Sequence, residues 1–240
     1  MSSLLKIDGM SVSFATPRGN LRAVNDVTIE LLKGESLGVV GESGSGKTVL
    51  SRATMGLLPS TATRTGTITY NGQVISELPK DEVRELWGTG MAMIFQDPMT
   101  ALNPVRRIGS QLTESLTVRL GMNKKDAKLK AVELLKRVRI PDPESMLRKF
   151  PYQLSGGMRQ RIMIAIAVSC EPELLFADEP TTALDVTVQA QVLDLITELR
   201  KESNMAMILV THDLGVVAGH TDKIAVMYAG DVVEYAPTRQ

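Results

Sequence analysis

The chain has 240 residues, 43% of them hydrophobic, and its 27 basic residues are balanced by 27 acidic ones. That length and apolar content suit a sizeable core and exclude a disordered protein, while zero net charge removes the usual electrostatic argument for a dedicated nucleic-acid binder. A lone cysteine, Cys170, excludes an intrachain disulfide and a multi-cysteine metal site and suits a reducing cytoplasm; with no secretory signal and no apolar run near ~20 residues, any membrane association is expected to be peripheral, through a partner.

Leu4 to Phe14 and Ala23 to Leu32 alternate apolar residues and read as antiparallel strands around a turn cluster, Pro17-Arg18-Gly19-Asn20. Phe14 is either a platform on which an adenine stacks or a core aromatic, and the residues weigh the two equally. Ser36 to Val40 reads as a buried strand, and Thr48 to Leu58 as a helix stopped by Pro59. Between them, Gly41-Glu42-Ser43-Gly44-Ser45-Gly46-Lys47-Thr48 fits G-x-x-x-x-G-K-[ST]. Its glycines let successive backbone N–H groups point at a nucleotide's phosphates, with Lys47 reaching the β/γ-phosphates and the Thr48 hydroxyl on Mg²⁺. A Gly/Ser stretch is otherwise a flexible turn; the strand before it and the helix after it favour the phosphate loop, because a helix N-terminus attracts anionic charge.

Gly66 to Tyr70 and Gln73 to Ile75 flank Asn71-Gly72, a hairpin signal, and Met91 to Phe95 reads as a short buried strand ending at Gln96-Asp97-Pro98. Gln96 can coordinate a metal or orient water, although most glutamines at strand ends are simply solvated. From Ile108 to Lys149 the pattern turns helical, with Leu129, Val132, Leu135 and Val138 recurring as the apolar stripe. Lys124, Lys125, Lys128, Lys130, Lys136, Arg137 and Arg139 make the segment basic, and a solvated helical face outweighs a nucleic-acid patch as its reading.

Leu154-Ser155-Gly156-Gly157-Met158-Arg159-Gln160-Arg161 opens a further helix, where Ser155 can cap and the glycines let an oxyanion approach free N–H groups. Leu174 to Ala177 reads as a buried strand that delivers Asp178 and Glu179 at its C-terminal end, the edge where ligands bind in parallel α/β sheets. Asp178 suits Mg²⁺, and Glu179 suits orienting or deprotonating a water. Thr182-Ala183-Leu184-Asp185 leads into an amphipathic helix through Arg200, with Val188, Val192, Leu195, Ile196 and Leu199 inward. Met205 to Val210 is a strand delivering Thr211-His212-Asp213 to the same edge, where His212 can bond a γ-phosphate or be a satisfied structural histidine. Ile224 to Met227 and Val232 to Tyr235 close the chain as short strands.

In these motifs and their order the chain resembles the ATP-binding subunits of ABC transporters. The matching residues are Gly41 to Thr48 (Walker A), Gln96 (Q-loop), Leu154 to Gly157 (signature), Leu174 to Asp178 with Glu179 (Walker B), Ala183 to Asp185 (D-loop) and His212 (switch). Phe95 to Pro104, Leu154 to Arg161 and Ala177 to Gln191 resemble the oligopeptide/dipeptide/nickel importer branch, in the form of its D-type ATPase subunit. The resemblance implies an α/β fold: a P-loop NTPase core with a mixed, largely parallel sheet, an N-terminal antiparallel β subdomain and an inserted helical subdomain at about 97–155 within a single domain over 1–240. It implies ATP and Mg²⁺ as cofactors, catalysis by Lys47, Gln96, Glu179 and His212, and metal binding by Thr48, Gln96 and Asp178. Nucleotide contacts are implied at Phe14, Gly41 to Thr48, Ser155, Gly156, Gly157 and Asp185.

The partners so implied are a second ATPase subunit (homologous, or this chain itself), two transmembrane permeases touching Asp97 to Arg107, and indirectly an extracytoplasmic solute-binding protein. The expected location is the cytoplasmic face of a prokaryotic inner membrane. Members of the branch usually continue past the equivalent of Gln240, some with a cysteine-rich tail able to hold an iron–sulfur cluster, so a trimmed chain is expected. The alternatives are a nucleic-acid-associated ABC ATPase of repair or translation, disfavoured by the charge balance and the short helical lobe, and an exporter subunit, which shares the catalytic motifs.

Overall fold

The computed structural model of the protein describes residues 3–17, 19–182 and 184–238. Two compact units emerge, the first from Met1–Trp87 with Asn204–Gln240 and the second from Gly88–Ser203.

In the first unit, β1 (Ser3–Thr16) and β2 (Gly19–Leu32) pair antiparallel. Leu5, Ile7, Met10 and Val12 of β1 and Val24, Val27, Ile29 and Leu31 of β2 are all buried, the consequence of a period-two pattern on one face. The register slips between Ile7 and Met10, where Gly9 takes φ +59° and lets the strand bulge. Arg18, from the expected turn cluster, lies outside the described residues. β3 (Ser36–Val40) is buried at every residue and leads through the phosphate-loop sequence into α1 (Lys47–Thr54).

The helix ends at Thr54, short of the expected Leu58, and Pro59 is not what stops it. Gly56 takes φ +70°, its N–H bonds Ala53 O, and the Leu57 N–H returns to Arg52 O at 2.8 Å. A left-handed glycine thus satisfies the last carbonyls before proline is reached.

β4 (Ala62–Tyr70) and β5 (Gln73–Val74) close the expected hairpin, with Asn71 and Gly72 at φ +48° and +83°. Positive φ at both central residues matches the right-handed strand twist, which is why Asn-Gly works there. Ile75 leaves the strand for a single 3₁₀ turn, and α2 (Lys80–Glu85) follows, a helix not expected from the sequence. The antiparallel sheet runs β2-β1-β4-β5.

The second unit begins with β6 (Met91–Ile94) and continues through α3 (Pro98–Ala101), α4 (Ile108–Arg119), α5 (Lys124–Arg137), α6 (Pro143–Met146) and α7 (Gly156–Ala167) to β7 (Leu174–Asp178) and α8 (Val186–Ser203). β6 and β7 pair in parallel and are buried throughout, as expected of short apolar strands covered on both faces. The stripe on α5 differs from the expected one. Ala127, Ala131, Leu134, Leu135 and Val138 are buried, whereas Leu129 is 62% exposed. A three-residue recurrence drifts around a helix of 3.6 residues per turn, so Leu129 has rotated off the face that Leu135 and Val138 share. Leu135→Ala is therefore expected to cost about 2–5 kcal/mol of unfolding free energy, and Leu129→Ala less than about 0.5 kcal/mol, measured by denaturant unfolding. Equal effects would contradict this packing.

The basic segment is answered locally: Lys130 pairs with Glu133 at 3.1 Å, Arg137 with Glu202 at 2.9 Å and Arg139 with Glu198 at 2.6 Å. The chain returns to the first unit as β8 (Ala206–Thr211), α9 (Leu214–His220), β9 (Lys223–Tyr228) and β10 (Asp231–Pro237). β3 pairs in parallel with both β8 and β9, and β10 runs antiparallel to β9.

Two contacts fix the strand that leads into the Gly41 to Thr48 loop. Asp222 Oδ2 accepts from both the N–H and the hydroxyl of buried Ser36, at 2.9 and 2.6 Å. Gly38 packs so closely on α9 that a Cβ would lie 2.3 Å from Val217 Cγ1. Among the described residues, no helix is long and apolar enough to cross a membrane.

Candidate functional site

Between β3 and α1 the chain turns as tightly as its glycines permit. Gly46 takes φ +102° and a Cβ there would sit 2.2 Å from Ala23 O; a Cβ on Gly41 would sit 2.1 Å from Met227 O. The loop is thereby pressed against β2 and β9, and a side chain at either glycine would force the backbone apart. The Gly230 N–H donates to Ser45 O at 3.1 Å and ties the loop to the β9–β10 turn.

Lys47 is only 4% exposed, and its Nζ donates to Gly41 O and Glu42 O at 2.7 Å each. A buried ammonium is costly unless hydrogen-bonded, and here it bridges the carbonyls of its own loop. Glu42, Ser43 and Gly44 are exposed along the rim, Ser45 and Gly46 are buried beneath it, and Thr48 is half-buried in the first turn of α1. The loop thus presents backbone at a helix N-terminus with one cation folded over it, an arrangement suited to phosphate.

His212 lies in the same unit, exposed, immediately after β8, and Asp213 caps α9 by accepting from Gly215 and Val216. Phe14 is half-buried, opposite Leu21 and Ala62 in the antiparallel sheet, so it is not a fully buried core aromatic.

The second unit gathers the carboxylates. Asp178 is the last residue of β7 and 1% exposed. Glu179 follows at φ +44°, a conformation uncommon for a side chain of its size, and its backbone turns sharply away from the strand. Gln96 Nε2 donates to Glu179 Oε2 at 2.8 Å, and Thr182 Oγ1 donates to the same oxygen at 2.9 Å. The structure therefore brings Gln96 and Glu179 together. Thr182 was not legible as a site residue, because nothing in Thr181-Thr182 tells which hydroxyl turns toward Glu179.

Ser155 caps α7, its Oγ accepting from the Met158 N–H at 3.4 Å. Ser155 and Gly156 are exposed, and a Cβ on Gly157 would come within 3.2 Å of Val188 Cγ1, so the glycine lets this helix start lie close against α8. Asp185 caps α8, accepting from the Val188 N–H at 2.9 Å, while Ala183 of the expected D-loop lies outside the described residues. The first unit thus holds the Gly41 to Thr48 loop, Phe14 and His212, and the second holds Gln96, Ser155 to Gly157, Asp178, Glu179 and Asp185.

The ABC transporter family model matches residues 24–182. The chain belongs to the ABC transporter family. It is an ATP-binding-cassette ATPase, and its relatives sharpen the comparison. It is 51% identical to the oligopeptide transport ATP-binding protein OppD of Salmonella typhimurium, over 98% of this chain and 70% of that protein. It is 49% identical to the dipeptide transport ATP-binding protein DppD of Bacillus subtilis, again over 98% of this chain and 70% of that protein. The solved dimeric structure of a bacterial ABC transporter cassette superposes with a TM-score of 0.88 at 25% identity, over 99% of this chain and 100% of that one. The α/β cassette fold expected from the motifs is thereby established for this ABC ATPase.

Proposed function

We propose that this ABC ATPase powers the uptake of dipeptides or oligopeptides. It would work with a second ATPase subunit and two transmembrane permeases at the cytoplasmic face of a prokaryotic inner membrane, fed by an extracytoplasmic solute-binding protein. The observation that carries the reading is the identity of about one half, over 98% of this chain, to peptide-transport ATP-binding proteins. Residues 97–155, with helices α3 to α6, are the segment assigned to the permeases, through Asp97 to Arg107.

ATP is assigned to the Gly41 to Thr48 loop, with Phe14 as the adenine platform. Lys47 would leave its loop carbonyls for the β/γ-phosphates, Glu179 would accept the proton of the attacking water, and His212 would steady the γ-phosphate. Ser155 and Gly157 of a partner ATPase would close over the phosphates, with Gly156 and Asp185 lining that junction.

The donor set also fits Mg²⁺: a threonine hydroxyl (Thr48), an amide (Gln96) and a buried carboxylate (Asp178) are all hard oxygen ligands. Mg²⁺ in such sites needs only one or two carboxylates beside phosphate and water, and no cluster of three His, Cys, Asp or Glu exists among the described residues. Bound there, Mg²⁺ would neutralise developing phosphate charge.

The test is ATP hydrolysis by the complex reconstituted in lipid vesicles with its binding protein. Di- or oligopeptide should stimulate turnover severalfold. Stimulation by nickel alone, or by DNA or ribosomes, would overturn peptide import.

A further inference from the structure

The turn that follows β7 is closed more firmly than a loop needs to be. Glu179, Pro180, Thr181 and Thr182 form a four-residue turn in which the Thr182 N–H donates to Glu179 O at 3.2 Å, and proline's fixed φ suits the second position of such a turn. Gln160, 1% exposed on α7, donates its side-chain N–H to Pro180 O and pins the turn from below. The closed turn brings the Thr182 hydroxyl back onto Glu179 Oε2 at 2.9 Å, beside the Gln96 donor at 2.8 Å. A carboxylate only accepts, so the hydroxyl is the donor in this pair.

We infer that Thr182 is a positioning residue for ATP hydrolysis, its hydroxyl aiming the Glu179 carboxylate at the attacking water. The inference rests on the assignment of Glu179 as the proton acceptor. The two donors on Oε2 differ in how they are mounted. Gln96 is exposed and reaches in from the segment after β6, 83 positions away in sequence. Thr182 shares the backbone turn of Glu179 and moves with it, so its hold survives any displacement of the Gln96 segment. The left-handed backbone of Glu179 explains why such a hold is useful: a strained residue with a long side chain keeps one direction only where its surroundings fix it.

Three variants of this chain, assayed in the intact transport complex, test the inference. Thr182→Val removes the hydroxyl and keeps the branched shape; kcat should fall about tenfold while KM for ATP stays within about twofold, because a misaimed base slows chemistry without weakening binding. Thr182→Ser should restore kcat to within about threefold of the parent. Thr181→Val removes a neighbouring hydroxyl from the same turn, which makes no hydrogen bond among the described residues, and should leave kcat within about twofold. Parental kcat in Thr182→Val, failure of Thr182→Ser to rescue, or an equal loss in Thr181→Val would each overturn the inference. Glu179→Gln, run alongside, separates the two levels. If it hydrolyses ATP at the parental rate, the assignment of Glu179 fails; if it is inactive while Thr182→Val is unimpaired, only the positioning role fails.

Discussion

Glu179→Gln is expected to bind Mg-ATP as the parent does and to hydrolyse it about 10³-fold more slowly, the scale on which a positioned general base accelerates a reaction. Glutamine keeps the length and one acceptor oxygen, so the Thr182 hydroxyl can still be satisfied and the turn at Pro180 keeps its shape. What disappears is basicity. The variant therefore separates binding from chemistry more cleanly than an alanine would, since alanine would also strand two donors. Nucleotide affinity by equilibrium titration and turnover by phosphate release check the two halves. Parental turnover would remove Glu179 from the mechanism.

The same variant reports on how the site is completed. Arrested before hydrolysis, closed ATPase pairs are expected to accumulate, and mass in solution with and without Mg-ATP at micromolar protein reads them directly. A dimer that appears only with Mg-ATP means that Ser155 and Gly157 of one copy close over the phosphate loop of another identical copy. A chain that binds ATP and stays monomeric assigns that half of the site to a different, homologous subunit.

Much of this was legible because each motif carries its own physical constraint. The tight loop from Gly41 to Thr48 was readable since only glycine fits at Gly41 and Gly46, where a Cβ would meet the carbonyls of Met227 and Ala23. The Asn71-Gly72 turn was readable for the same reason, both residues lying at positive φ. The strands β6 and β7 followed from short apolar runs with no polar interruption.

What escaped depended on contacts remote in sequence or on competing local signals. The end of α1 was misread because Pro59 is the louder stop signal, whereas the quieter Gly56 comes first in the chain and ends the helix. Leu129 joined the expected stripe because its spacing to Val132 and Leu135 is plausible over one turn, and only the packed face shows that Ala127 and Ala131 lie inside instead. The seven-residue helix α9 contains two glycines, which hid it; its signal was the cap at Asp213. Thr182 escaped for a different reason: side-chain direction within a turn is set by where the turn is anchored, here by Gln160 twenty residues upstream.

Lys47→Ala is expected to weaken ATP binding about 100-fold, or about 2.7 kcal/mol, and to abolish turnover. On the proposed reading the substitution has two separable effects. The first is the loss of a charge for the β/γ-phosphates. The second belongs to the loop itself: Lys47 Nζ bridges Gly41 O and Glu42 O at 2.7 Å each, so the ammonium holds the loop in a phosphate-ready shape. Without that bridge, amide hydrogens from Glu42 to Gly46 should exchange faster in the absence of nucleotide, and the Ala variant should gain little protection when ATP is added.

Lys47→Arg discriminates between the two effects. It keeps the charge, but a planar guanidinium does not reproduce a compact ammonium seated between two carbonyls in a site only 4% exposed. If charge alone mattered, arginine would restore ATP affinity. If the compact bridge matters too, arginine binds ATP nearly as poorly as alanine, and its loop exchanges as fast. Parental ATP affinity in Lys47→Ala would count against the phosphate-loop assignment, whatever the exchange data show.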